Sequence, residues 1–213
     1  MIRALLQGDR PRKLDWLAPG ERDRAAAMAI PWRREDFLLG RWAAKRLLSS
    51  VLGCEPGPAL EIRAAPSGRP EGFLDGQPLR LSLSISHRQG LALAAVDDAG
   101  RPLGVDLEAV EPRSEAFVRD YFTVSEIAAV AAGERNLLAN LIWSAKESAL
   151  KALGAGLTLD TRAVEVELAP GPGAEWRALR LHGATEWGGW WRTDGGHVLT
   201  LVGASRGEPQ LLS

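Results

Sequence analysis

Residues 141–154 read LIWSAKESALKALG. Ile142, Ala145, Ala149 and Leu153 recur at the spacing of one helical face, and Gly154 stands where a helix stop belongs, so the segment predicts an amphipathic helix. Three charges need an explanation. Glu147 and Lys151 are four apart and share a face, an arrangement worth only about 0.3–0.5 kcal/mol on an exposed helix. Lys146 falls at the border of the apolar stripe, where an ammonium costs desolvation unless its stem lies along apolar surface or its charge meets an anion.

Outward from this helix the pattern alternates. Upstream, YFTVSEIAAVAAG opens with a capping-box spacing, Thr123 to Glu126, and downstream AVEVEL, WRALRLHG, EWGGWWRT and HVLTLVGAS read as strands. The N-terminal half follows the same order. Pro19 to Leu52 reads as helical with a break near Pro31, and DFLLGRWAAKRLLSSVLG carries an apolar stripe ending at Gly53. EIRAA, LSLSIS, GLALAAV and LGVDLE then follow as short strands between turn-rich connections. Helices before strands, twice, predicts an α+β protein of two similar lobes, residues 1–103 and 104–213, each with helices packed on a small antiparallel sheet. The expectation rests on order alone, with no residue-level repeat between the halves expected.

Composition excludes several classes. With 26 basic and 27 acidic residues the net charge is −1, which leaves no global excess for gripping nucleic acid, so any anion site is local. The single cysteine, Cys54, rules out an internal disulfide and a thiolate zinc cluster, and it fits a reducing compartment. No apolar run reaches the roughly 18 residues of a membrane span, and the opening MIRALLQGDRPRKLDW has too short an apolar segment for a secretory signal. The expected location is the cytoplasm, with no membrane partner.

The chemistry gathers in a few places. In LGVDLEAV, Asp106 and Glu108 stand two apart on a strand, which sends both carboxylates to one face; a solvated strand face has the same pattern. His87 follows the alternating run SLSIS as the strand turns, where a histidine is commonly a turn residue. Taken with the turn Gly68-Arg69-Pro70 and the K-E-x-x-x-K helix, these offer cationic donors and hard oxygen ligands. Carboxylates without a cysteine cluster select magnesium or manganese, and magnesium is commonly shared with substrate phosphates.

The ordered motifs G-R-P (68–70), S-I-S-H (84–87), G-V-D-L-E (104–108), F-T-V-S-E (122–126) and W-S-A-K-E-S-A-L-K (143–151) resemble those of the 4′-phosphopantetheinyl transferases. The likeness is to the larger type that serves many carrier proteins, and the motif-bearing stretch runs from Gly68 to Gly156. That resemblance implies a single-chain pseudo-dimer, hence a monomer, with the active site between the lobes. It implies transfer of 4′-phosphopantetheine from coenzyme A to a serine of an apo acyl or peptidyl carrier protein, with release of 3′,5′-ADP. Fatty-acid, polyketide and nonribosomal-peptide carriers are not distinguished by these residues.

Carried over by position, Asp106, Glu108 and Glu147 resemble the ligands of a magnesium ion, for which manganese is an alternative. Glu147, or a water on the ion, helps deprotonate the serine, and Lys151 neutralises or protonates the departing phosphate. Lys146 is expected at a phosphate or behind the ligands, and Trp143 against the cleft. His87 resembles the histidine at a coenzyme A phosphate, Ser86 and Arg69 its nucleotide-contacting neighbours, and Arg41 and Lys45 the cations near the 3′-phosphate, although a solvated basic face gives the same spacing. Arg69 and Arg88 depart from the family's usual lysine and serine, exchanging a point charge for a fork in the first case. Two other functions share most of these features. A non-catalytic coenzyme A or carrier-protein binding module has no need of Asp106, Glu108 and Glu147 together, and a magnesium-dependent hydrolase of the diphosphate differs by using water in place of a carrier serine.

Overall fold

The computed structural model describes residues 1–154, 159–169, 175–205 and 207–212. Gly156, where the motif-bearing stretch ends, lies outside them. By packing, the chain divides into two units, Met1–Arg101 with Pro209–Ser213, and Pro102–Glu208.

The first unit begins with β1 (Ile2–Gln7), followed by helices α1 (Pro19–Ala26) and α2 (Pro31–Leu52). Pro31 opens α2 at a position where its missing N–H costs nothing. Gly53 closes it at φ 68°, a left-handed conformation that glycine adopts without strain. The stripe Leu38, Leu39, Ala43, Ala44, Leu47 and Leu48 is buried, covering β1 and the hairpin of β5 (Ser82–Arg88) and β6 (Leu91–Asp97). Gln89 and Gly90 turn that hairpin with φ 49° and 78°, the geometry that matches strand twist. Between α2 and β5 lie β2 (Leu60–Ala64), β3 (Pro70–Leu74) and β4 (Gln77–Pro78), which form a separate three-stranded antiparallel sheet.

The second unit runs β7 (Leu103–Ala109), α3 (Glu115–Tyr121), α4 (Val124–Ala132), α5 (Arg135–Leu153), a 3-10 turn at Thr161–Ala163, β8 (Val164–Leu168), β9 (Arg177–Gly183), β10 (Gly188–Asp194) and β11 (His197–Gly203). Its five strands form one antiparallel sheet in the order β7-β11-β10-β9-β8, with α5 lying on β7 and β11. Thr123 and Glu126 make the expected capping box at α4, and Gly154 ends α5 at φ 70°. No helix among the described residues is long and apolar enough to cross a membrane.

The α+β class and the two similar units agree with the sequence reading, and the model adds a return at the chain end. The last strand, β12 (Gln210–Leu212), pairs parallel with β1, so residues 209–213, read with the second lobe, pack with the first. Strand β1 lies between β12 and β6 and is buried along most of its length, so it carries no period-two alternation to mark it as a strand. A residue-level repeat also exists. Trp42, Ala44, Lys45, Leu52 and Gly53 recur as Trp143, Ala145, Lys146, Leu153 and Gly154 on α2 and α5.

Candidate active site

A close approach of helix to strand builds the acidic end of the second unit. A Cβ added to Gly104 of β7 would stand 1.9 Å from the Ser148 carbonyl oxygen and 2.7 Å from the Ala152 nitrogen, so only glycine admits α5 at this distance. The contacting face of the helix is correspondingly small. Ser144 and Ser148 meet Thr200 Oγ1 of β11 at 2.8 and 2.7 Å, which satisfies three buried hydroxyls without a bulky side chain.

This packing places Lys151 and Glu147 over the strand carboxylates. Lys151 Nζ donates to Asp106 Oδ1 at 2.7 Å and to the Val105 carbonyl at 3.0 Å, while Asp106 is buried. Glu147 is half-buried, and its pKa is raised by desolvation first, then by the negative charge of Asp106, with Lys151 opposing and Glu108 adding. Glu108 shares the face of Asp106 and accepts from Arg113 Nη2 at 3.0 Å.

The donor set suits a hard divalent cation. All three groups are carboxylates, and Glu147 Oε1 is buried with no hydrogen-bond partner among the described residues, an oxygen that a cation would satisfy. No group of three His, Cys, Asp or Glu residues among the described residues is already arranged around a metal position. Asp106 and Glu108 are each engaged by a side-chain cation instead.

Lys146 and Lys45 stand elsewhere than expected. Lys146 is fully buried, and its ammonium pairs with Glu126 at 2.9 Å, donates to the Thr161 carbonyl at 2.8 Å and donates to the Val164 carbonyl. Burial draws its pKa down against the pull of Glu126. Lys45 is buried in the same way, pairing with Glu21 at 2.7 Å and donating to the carbonyls of Trp16 and Gly57. The anion that each lysine meets is internal, which corrects the phosphate contact expected for Lys45 and the phosphate alternative expected for Lys146; nor is Lys45 on a solvated face. Trp143 packs on α3, with Phe117 and Tyr121 at centroid distances of 4.9 and 5.2 Å.

The two lysines belong to one repeated device. Glu21 accepts from the N–H of Ala18 at the start of α1 and from Ile62 of β2; Glu126 accepts from Thr123 at the start of α4 and from Val166 of β8. In each unit a glutamate therefore ties a short helix, a strand and a lysine of the long helix together.

The acidic site is not repeated. Matching β6 to β11 by register, the residues opposite Ala94 and Ala92 are Leu5 and Gln7, where the second unit has Asp106 and Glu108 opposite Thr200 and Val198. On the helix, Arg46 and Ser50 stand in place of Glu147 and Lys151, and Arg46 donates to Gln7. Only the second unit retains the carboxylates.

The first unit offers a cationic cavity of about 410 Å³ instead. Arg41 and His87 line it, together with Arg24, Arg33, Asp36 and Phe37. Arg41 is drawn down to about 10 by burial, with Glu21 pulling it up and Arg24 pushing it further down, and its guanidinium lies 4.7 Å from the Phe37 ring centre. His87 is half-exposed, its Nδ1 3.5 Å from Asp36 Oδ2. Gly40 of α2 lies beside it, where a Cβ would be tight against Ile85 Cγ2 at 3.2 Å and in ordinary contact with His87 Cδ2 at 3.8 Å. Gly68 and Pro70 reach the same cavity from the turn where Gly68 has φ 83°; Arg69 is exposed between them and Ser86 is buried on β5. Arg24 and Arg33 were not read from the sequence. The spacing Arg33, Phe37, Arg41 along α2 puts all three on one helical face and could have pointed to Arg33.

Residues 102–202 match the family described as the 4′-phosphopantetheinyl transferase superfamily, and residues 21–97 match the 4′-phosphopantetheinyl transferase N-terminal domain. The 4′-phosphopantetheinyl transferase Svp of Streptomyces mobaraensis is 30% identical over 191 residues, covering 83% of this chain and 74% of that protein. A putative 4′-phosphopantetheinyl transferase of Synechocystis sp. is 27% identical over 147 residues, covering 67% of this chain and 58% of that protein. The holo-[acyl-carrier-protein] synthase of Shouchella clausii is 36% identical over 81 residues, covering 36% of this chain and 68% of that protein. With matches to both family domains and a relative aligned over most of its length, the chain belongs to the 4′-phosphopantetheinyl transferase superfamily.

Proposed function

We propose that the chain transfers the 4′-phosphopantetheine group of coenzyme A to a serine hydroxyl of an apo acyl or peptidyl carrier protein, releasing 3′,5′-ADP, and that it acts as a monomer. The observation that carries the reading is the packing of α5 on β7 across Gly104, which sets Glu147 and Lys151 at Asp106. A relative named as a holo-[acyl-carrier-protein] synthase supports the class of acceptor.

Asp106, Glu108 and Glu147 would hold a magnesium or manganese ion, which when bound offsets the charge of the diphosphate. Glu147 is the base for the serine hydroxyl. Its raised proton affinity brings the carboxylate closer to the range in which it accepts a proton effectively near neutral pH. The serine oxygen forms a bond to the β-phosphorus as the bond from that phosphorus to the bridging oxygen breaks. Lys151 meets the charge that develops on the departing phosphate. Arg41 and His87, with Arg24 and Arg33, provide the positive cavity for the 3′-phosphorylated nucleotide; Arg69 and Ser86 stand next in sequence to its lining residues Gly68, Pro70 and His87.

Incubation with coenzyme A, magnesium and a panel of apo carrier proteins, read by intact mass, tests the reading. A phosphopantetheine-sized gain on a carrier, abolished by chelation, is the expected result. Coenzyme A binding with no gain on any carrier would make the chain a binding module, and cleavage of coenzyme A without a gain would make it a hydrolase.

A further inference from the structure

The guanidinium of Arg113 has three close partners, with Glu111 Oε1 farther off at 4.0 Å from its Nη2. Nη2 donates to Glu108 Oε2 at 3.0 Å, Nε donates to Asn140 Oδ1 at 2.7 Å, and the group lies 5.0 Å from the Phe117 ring centre. Asn140 is fully buried on α5, and its amide donates to the carbonyls of Glu111 and Asn136, which turns its oxygen toward Arg113. Only 17% of the Arg113 side chain and 14% of the Glu108 side chain is exposed, so the pair has little water to screen it.

We infer that Arg113 is an internal counter-ion for Glu108, against which a divalent cation competes, and that this competition sets the cation affinity of the site. The inference rests on reading Asp106, Glu108 and Glu147 as cation ligands. Asp106 and Glu108 are held differently. Lys151 reaches Asp106 on a flexible stem, whereas the Arg113 fork is fixed by Asn140 and Phe117 and does not follow Glu108 when the carboxylate turns. A cation that recruits Glu108 must draw it from a fixed guanidinium or settle beside a positive charge, and either lowers affinity. The site then holds a cation weakly until the diphosphate of the substrate adds its own negative charge, which couples metal binding to substrate binding.

Manganese(II) alone is the probe, its binding to coenzyme A-free protein followed by the electron paramagnetic resonance signal of the free ion. Arg113→Gln keeps an amide to meet Asn140 and deletes the charge, so Kd should fall by at least about tenfold, the lower bound for a unit charge removed several ångströms from a divalent ion at the permittivity of water. Arg119→Gln removes an exposed arginine of α3 paired with Asp120, and should change Kd by no more than about twofold because surface charge is screened. In a Glu108→Gln background, Arg113→Gln should have a clearly smaller effect, because the competition for the carboxylate is gone and only the repulsion between the two positive charges remains. An unchanged or raised Kd in an Arg113→Gln protein with an unaltered circular dichroism spectrum overturns the inference. If that variant does not fold, Arg113→Met replaces it: the stem against Phe117 is partly kept and the charge is deleted, so a comparable fall in Kd supports the counter-ion and no fall refutes it. Failure of the unsubstituted protein to bind manganese overturns the metal-site reading itself, and the inference with it, whereas an unresponsive Kd removes only the role of Arg113.

Discussion

Lys146→Met separates the internal role of this lysine from a substrate role. Methionine keeps much of the stem and its volume, so the change removes charge and donors while leaving little cavity. The ammonium has three partners, Glu126 at 2.9 Å and the carbonyls of Thr161 and Val164, and both charged side chains are essentially inaccessible to water. Breaking a buried ion pair from one side costs about 3–5 kcal/mol because the remaining charge is left uncompensated. Glu126 still accepts from the N–H groups of Thr123 and Val166, which puts the cost near the lower end, about 3 kcal/mol. At about 2–4 °C per kcal/mol for a protein of this size, the melting temperature should drop by about 6–12 °C. Urea unfolding followed by circular dichroism measures the loss, and transfer assayed at low temperature on the folded protein should be largely retained. Adding Glu126→Gln to Lys146→Met should recover part of the stability by removing the stranded charge, and Lys45→Met should behave like Lys146→Met through Glu21. A Lys146→Met protein that loses less than about 1 kcal/mol but needs much more coenzyme A would refute the reasoning and return the lysine to the substrate.

Gly104→Ala should cost at least about 1–3 kcal/mol as the added methyl drives α5 from β7, and should reduce transfer beyond what unfolding explains; melting within about 0.5 kcal/mol of the unsubstituted protein would show that the helix can yield there. Lys151→Met should lower kcat strongly while leaving coenzyme A affinity by calorimetry little changed, and Glu147→Gln should lose activity that added magnesium does not restore if the carboxylate is the base. His182 lies between Glu167 at 3.1 Å and Glu186 at 3.2 Å, hydrogen bonds that raise its pKa, Glu167 first; a proton resonance titration should show Glu167→Gln lowering it. Because the folded-state value is raised, any stability the pair contributes is present below the unfolded pKa and lost as pH rises through the folded one, so a Glu167→Gln protein with an unmoved midpoint would discard the contact.

The sequence by itself determined the helix stops at Gly53 and Gly154, the capping box at Thr123, the strands around Ser84 and Asp106, and the shared face of Glu147 and Lys151. These are local matters of period and φ, encoded within a few residues. It also showed helices followed by strands in each half, whereas each unit in fact opens on a strand, β1 or β7, ahead of its helices; the tryptophan-to-glycine match of α2 and α5 is present in the sequence as well. Tertiary structure alone decided where the charges went. Periodicity placed Lys146 at the edge of an apolar stripe and required an anion, but whether that anion was a ligand or Glu126 depends on α4 and β8 folding back over α5, contacts 20 residues away in either direction. Lys45 was misread for the same reason through Glu21. The return of β12 to β1 and the hold of Arg113 on Glu108 are likewise long-range or cross-element pairings, to which hydrophobic period is blind because it records which face is buried and not what lies against it.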